Sequence, residues 1–180
     1  MRATRRGLML GALAVPTVAG LASWRWRNGF VAGQGSVLLH DSTLGAGRRF
    51  GEAGRAAGGR VVALEGDPIR LAQTVLQPGP ALVAGVSRHA DALLFAEAAG
   101  EAGYLQVAAF VGDASGCGAS DCRDGWRSLG RMAERSGSGW VEALAIYAAQ
   151  PESSVALPRS SPMPDSGSGR VFGWVLAREA

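Results

Sequence analysis

The chain of 180 residues is 47% hydrophobic and 18% charged, which suits one soluble domain and is too short for two of ordinary size. Its 27 glycines follow no collagen-like period and read as turns and close backbone approaches, which excludes fibrous and disordered classes. All 18 residues in the Lys+Arg count are arginine, so a Schiff-base lysine, a P-loop lysine and a lysine general base are excluded. The net charge of +3 has to be located before it argues for nucleic acid or an anionic membrane.

Residues 1–22 join a basic start, with Arg2, Arg5 and Arg6, to an uncharged apolar stretch from Gly7 to Ala22, the pattern of an export signal. The stretch makes roughly 24 Å of helix at ~1.5 Å per residue, short of the ~30 Å hydrocarbon core, and Pro16 interrupts it. Thr4-Arg5-Arg6-Gly7-Leu8-Met9-Leu10 resembles the twin-arginine signal motif, in which paired arginines follow Ser or Thr and precede apolar residues. The resemblance covers residues 1–22 only. It implies export of the folded chain to the bacterial periplasm, with the twin-arginine translocase as partner during passage. That route serves mainly cofactor-loaded enzymes and the subunits that travel with them, so a co-exported protein is a further expected partner.

Gly20 and Ala22 flank a cleavage point before Ser23. The alternative is a retained signal, which gives the chain membrane contact through Trp24-Arg25-Trp26-Arg27 at the interface. Removing residues 1–22 takes away three arginines and no acid, so the remaining 15 arginines balance the 15 acidic residues. The basicity belongs to the signal, and no nucleic-acid partner is expected.

Residues 23–35 read as a linker and 36–180 as a single α/β domain. Ser36–His40 is a short apolar strand, followed by turn residues and by Phe50, Ala53, Gly54 and Ala57 at helical spacing. Arg60–Glu65 is a second strand, and Asp67-Pro68 caps and opens a helix carrying Ile69, Leu71, Ala72, Val75 and Leu76. Pro80–Val86 is a third strand, Arg88–Glu101 a helix closed by Gly103, and Tyr104–Val111 a fourth strand. Residues 112–125 read as a glycine- and acid-rich loop, Trp126–Arg135 as a short helix, and Trp140–Ala149 as helix or strand, with helical spacing favoured. A Pro/Ser-rich loop at 150–169 leads to a final strand, Arg170–Ala177, expected at an edge. The fold expected is α/β and three-layered, a mostly parallel sheet of four to six strands in flavodoxin-like or Rossmann-like order with helices on both faces.

Such sheets bind ligands at the carboxyl ends of their strands. There lie both histidines of the chain, His40 and His89, with Asp41, Ser42, Thr43, Glu65, Asp67, Ser87, Arg88 and Asp113. The functional reading is a polar pocket for an anionic or hydroxylated small ligand, with Arg88 and helix amides supplying positive potential. The plainer reading is that these residues cap helices and line a solvated first turn. A metal held by His40, His89 and an aspartate fits by residue type but has no local ligand spacing.

Gly45-Ala-Gly47-Arg-Arg-Phe-Gly51 has the form G-x-G-x-x-x-G, with Glu65 placed as a ribose acid would be. The same glycines serve equally for close helix–sheet packing. Cys117 and Cys122 are expected to form a disulfide in an oxidising compartment. Trp126 and Trp174 are expected in the core or under the long loop. The leading expectation is a non-catalytic periplasmic protein that binds a small ligand or accompanies a partner in an exported redox complex. The competing one is a small enzyme using His40, His89 and Asp41 as acid–base groups. The residues name no cofactor.

Overall fold

The computed structural model describes residues 35–151 and 169–178. The export signal with Arg5 and Arg6, the linker through residue 34 and most of the Pro/Ser-rich loop lie outside the described residues. Strand β1 (Ser36–His40), helix α1 (Gly45–Ala56), β2 (Arg60–Ala63), α2 (Pro68–Leu76), β3 (Leu82–Ser87), α3 (His89–Glu101) and β4 (Tyr104–Gly112) alternate as the apolar spacing requires. The Asp67 carboxylate caps α2, accepting from the N–H of Ile69 at 2.8 Å and of Arg70 at 3.3 Å. Pro68 follows in the first turn, where its missing N–H costs nothing. Gly103 closes the turn after α3 at φ +79°, a conformation that penalises a Cβ.

Then come β5 (Cys117–Cys122), α4 (Arg127–Arg135), a 3-10 turn (Gly137–Gly139), α5 (Trp140–Ala149) and β6 (Val171–Arg178). The ambiguous stretch 140–149 is a helix because Val141, Leu144, Ala145 and Ala148, spaced for one helical face, are all buried. Residues 117–122, expected as loop, are instead a strand. Asp113 accepts from the Ser115 N–H at 2.7 Å, and its own N–H donates to the Gly116 carbonyl at 3.0 Å, so a tight turn sends the chain back along β4.

The fold is mixed α/β, with six strands in the order β2-β1-β3-β6-β4-β5. β1 pairs in parallel with β2 and β3, which keeps the 2-1-3 portion of the expected order. The remaining ladders, β3 with β6, β6 with β4 and β4 with β5, are antiparallel, so the sheet is not mostly parallel. Nor does the last strand complete an edge, since β6 lies between β3 and β4.

The reason lies in its side chains. Val171, Trp174, Val175, Leu176 and Ala177 are buried, and a strand apolar on both faces needs neighbours on both edges and cover on both sides. A Cβ at Gly85 of β3 would land on the Trp174 ring, and one at Gly173 would meet Trp140 at 2.7 Å. These glycines make the room that the two indoles fill.

Alternate strand residues feed two core clusters. Leu38, Val86, Phe110 and Val175 pack with Phe50 of α1, Leu129 of α4, and Trp140 and Leu144 of α5. Val37, Leu39, Val83, Trp174 and Leu176 pack with Ala72 and Val75 of α2 and with Phe95 and Ala99 of α3. Trp126 and Trp174 are both core residues, as expected.

Candidate functional site

β1 and β3 are neighbours whose following segments depart to different helix groups, and the polar residues collect where they part. Asp41 is buried, at 3% exposure. Its N–H donates to the Val86 carbonyl at 3.0 Å. Its carboxylate accepts from the Thr43 N–H at 2.9 Å, from the Thr43 hydroxyl and from Arg88 Nη1 at 3.0 Å. Arg88 Nη2 donates to Thr43 Oγ1 at 3.1 Å, and Arg48 Nη1 donates to the Ser42 carbonyl at 3.1 Å. Asp41, Thr43 and Arg88 therefore form one closed network, with the guanidinium tying the segment after β1 to the segment after β3. Ser87 is buried beside it, accepting from Trp174 Nε1 at 3.2 Å and donating to the Arg88 carbonyl at 3.0 Å. Both oxygens of the Asp41 carboxylate are engaged within this knot, while the Arg88 side chain stays 60% exposed.

The histidines are not brought together. His40 continues the face of Leu38, and its ring lies against α1, where a Cβ at Gly51 would sit 2.9 Å from Cδ2. His89 opens α3, which packs on the opposite face of the sheet, and its ring meets Phe172 edge-on with centroids 4.7 Å apart. The two imidazoles do not share a rim, so they neither form an acid–base pair nor hold one metal ion. Among the described residues, no group of three or more His, Cys, Asp or Glu is placed to hold a metal. Glu65 is exposed after β2, and Asp67 is spent as the cap of α2.

The glycine run also resolves into packing. Gly47, Gly51 and Gly54 line the face of α1 turned to β1. A Cβ at Gly47 would land on the Asp41 carbonyl oxygen, and one at Gly54 would sit 2.6 Å from Leu38 Cδ2. The glycines let the helix backbone lie on the strand.

The expected disulfide is absent. Cys117 and Cys122 stand at the two ends of β5, roughly 16 Å apart at ~3.3 Å per residue, whereas a disulfide needs Cα atoms about 4.4–6.8 Å apart. The loop that would have let them meet is an extended strand. Burial pushes the Cys122 thiol up from its ordinary pKa, which makes it a poor nucleophile.

Open space lies on either side of Asp113. A cleft of about 660 Å³ is lined by Gly112, Asp113, Ser115, Cys117, Glu134 and Arg170. A smaller one of about 100 Å³ is lined by Thr43, Gly45, Ala46, Arg49, Asp113 and Val171. The first turn of α1 borders the smaller cleft. Leu44 at its N-cap supplies no side-chain hydrogen bond, and the turn contains no acid, so its amides present the positive end of the helix dipole. Arg49 adds a guanidinium and pairs with Glu142 of α5 at 2.9 Å. Two hydrogen bonds from Ser115, the hydroxyl first and then the amide, hold the Asp113 carboxyl below the usual carboxylate range.

Of the residues expected at the site, Thr43 and Asp113 line the clefts, and Asp41, Ser87 and Arg88 hold the scaffold behind them. Arg170 and Glu134 were not foreseen. Arg170 reaches the rim because β6 runs antiparallel, which places the amino end of that strand beside the carboxyl ends of its neighbours. Comparison of the chain with protein-family models, curated proteins and solved structures finds no match.

Proposed function

We propose that this chain is an exported α/β protein that binds a small anionic or hydroxylated ligand, alone or as a subunit accompanying a co-exported partner, with the ligand seated beside Asp113 at the strand ends. The observation that carries the reading is the smaller cleft, where the uncapped first turn of α1 and Arg49 converge on open space. Helix amides and a guanidinium are the usual partners of an oxyanion. The two helix groups, each with its own core cluster, support a layered arrangement in which this cleft occupies the position where α/β sheets take ligands. The enzymatic alternative built on His40, His89 and Asp41 loses support from the separation of the imidazoles and from the closed network around Asp41. Export to the periplasm rests on the Thr4-Arg5-Arg6 segment and its apolar continuation.

The binding reading is tested by calorimetric titration of the purified protein with inorganic phosphate, sulfate and a set of small carboxylates and sugars. Saturable binding by at least one probe is expected. Replacing Arg49, which lines the smaller cleft, by Gln should weaken binding of an anion by about tenfold, the loss of one charge-assisted hydrogen bond. No heat with any probe would overturn the reading. For the export half, Arg5 and Arg6 replaced by Lys should leave the chain inside the cell, and unchanged secretion would refute the twin-arginine route.

A further inference from the structure

His40 is a titratable group that the proposed site does not use. It ends β1 at 4% exposure, and α1 covers its ring over two consecutive turns. Gly51 brings helix backbone onto the ring, and Arg55, one turn on, sets Nη2 at 3.2 Å from His40 Nε2. A guanidinium has only N–H groups to offer, so Arg55 donates and Nε2 accepts. The neutral ring must then carry its proton on Nδ1, which is buried and has no hydrogen-bond partner. The vacant lone pair of the ring is the one already facing a permanent cation.

A second proton would therefore enter at Nε2, against Arg55, inside a packed helix–strand contact. The charged groups bearing on the ring are Arg55 and Glu52 from α1, Asp41 after β1 and Glu65 after β2. Burial, and then Arg55, hold the imidazole below its ordinary 6.5, and the three carboxylates oppose that shift. The folded protein thus favours the neutral ring and the unfolded chain takes up the proton more readily. Stability is present above about pH 6.5 and is lost as pH falls from there toward the lowered value, by up to about tenfold in the equilibrium constant per pH unit within that window.

We propose that His40 is an acid-sensitive latch for α1. With the ring neutral, Arg55 and Gly51 close over it and the helix is docked on β1. With the ring protonated, the Nε2 contact turns from a hydrogen bond into a meeting of two cations, and α1 is released from the strand. The opposite end of α1 borders the smaller cleft, so mild acid would loosen that wall as well. The cleft consequence rests on the proposed binding site, but the latch does not.

The test is hydrogen exchange of the full chain, followed peptide by peptide between pH 7.5 and 5.0 and corrected for the intrinsic pH dependence of exchange. Amides of α1 are expected to lose protection progressively below pH 6.5, while those of α2 and α3 on the other face keep theirs. The R55Q variant alters an exposed side chain and removes the cation, and it should reduce the loss in α1, leaving the part that burial of the ring causes. Loss shared evenly by all helices, no loss down to pH 5.0, or the same loss in R55Q would each overturn the latch. Ligand titration at the same pH values separates the two ideas, since acid release of α1 without any ligand at pH 7.5 leaves the latch standing and the binding reading refuted.

Discussion

At the scale of single residues, the glycines are the most informative, because identical substitutions have opposite consequences at different positions. Gly47 faces β1, where an added Cβ meets the Asp41 carbonyl, whereas around Gly100 in α3 nothing lies within 4 Å. Gly47→Ala is therefore expected to destabilise by about 1–3 kcal/mol through overpacking. Gly100→Ala should stabilise by roughly 0.5–1 kcal/mol through reduced backbone entropy in the unfolded chain. Urea unfolding of both variants checks the pair, and two changes of the same sign would contradict the packing described for α1. Local chemistry of this kind was partly legible beforehand. The Asp67-Pro68 cap could be read because it depends on neighbours in sequence. That His40 turns under α1 while His89 lies on the other face could not, because it depends on strand parity and on which face each crossover covers.

At the scale of elements, the alternating strands and helices through β4 followed from apolar spacing, and the helical spacing of residues 140–149 held. The hairpin of β4 and β5 did not follow, because the six residues of β5, Cys117–Cys122, include no β-branched or aromatic side chain to signal a strand. A glycine- and acid-rich composition looks like a loop whether or not it pairs along an edge. That misreading also produced the expected disulfide. Alkylation of the denatured protein without prior reduction is expected to add two labels, one on each cysteine. An unlabelled chain of unchanged mass would mean that β5 opens far enough for the two sulfurs to meet.

At the scale of the whole molecule, β6 decides the architecture. Its register runs against β3 from Leu82 to Ser87 and against β4 from Tyr104 to Gly112, and it delivers Trp174 to one core cluster and Val175 to the other. Deleting residues 170–180 should abolish cooperative unfolding altogether, because the cut separates the sheet into two parts rather than trimming it. Circular dichroism with thermal melting would show this, and a residual sharp transition would mean that β1 to β3 and their helices fold alone. The sequence reading set β6 at an edge, whereas its residues, apolar on both faces of the strand, suit the interior place that it takes. What the chain could not disclose was the partner on each side, which long-range pairing alone determines.

The central place of β6 also carries a cost during synthesis. Chains grow at ~5–20 residues per second, and about 60 residues separate the end of β4 from the start of β6. For roughly 3–12 s, then, a nascent chain holds β3 and β4 with their inner edges bare. Two such edges on neighbouring chains of one polysome could pair with each other before their proper partner is made. Sparse, chaperone-attended production, with few ribosomes per message, is the condition under which this molecule should be recovered intact.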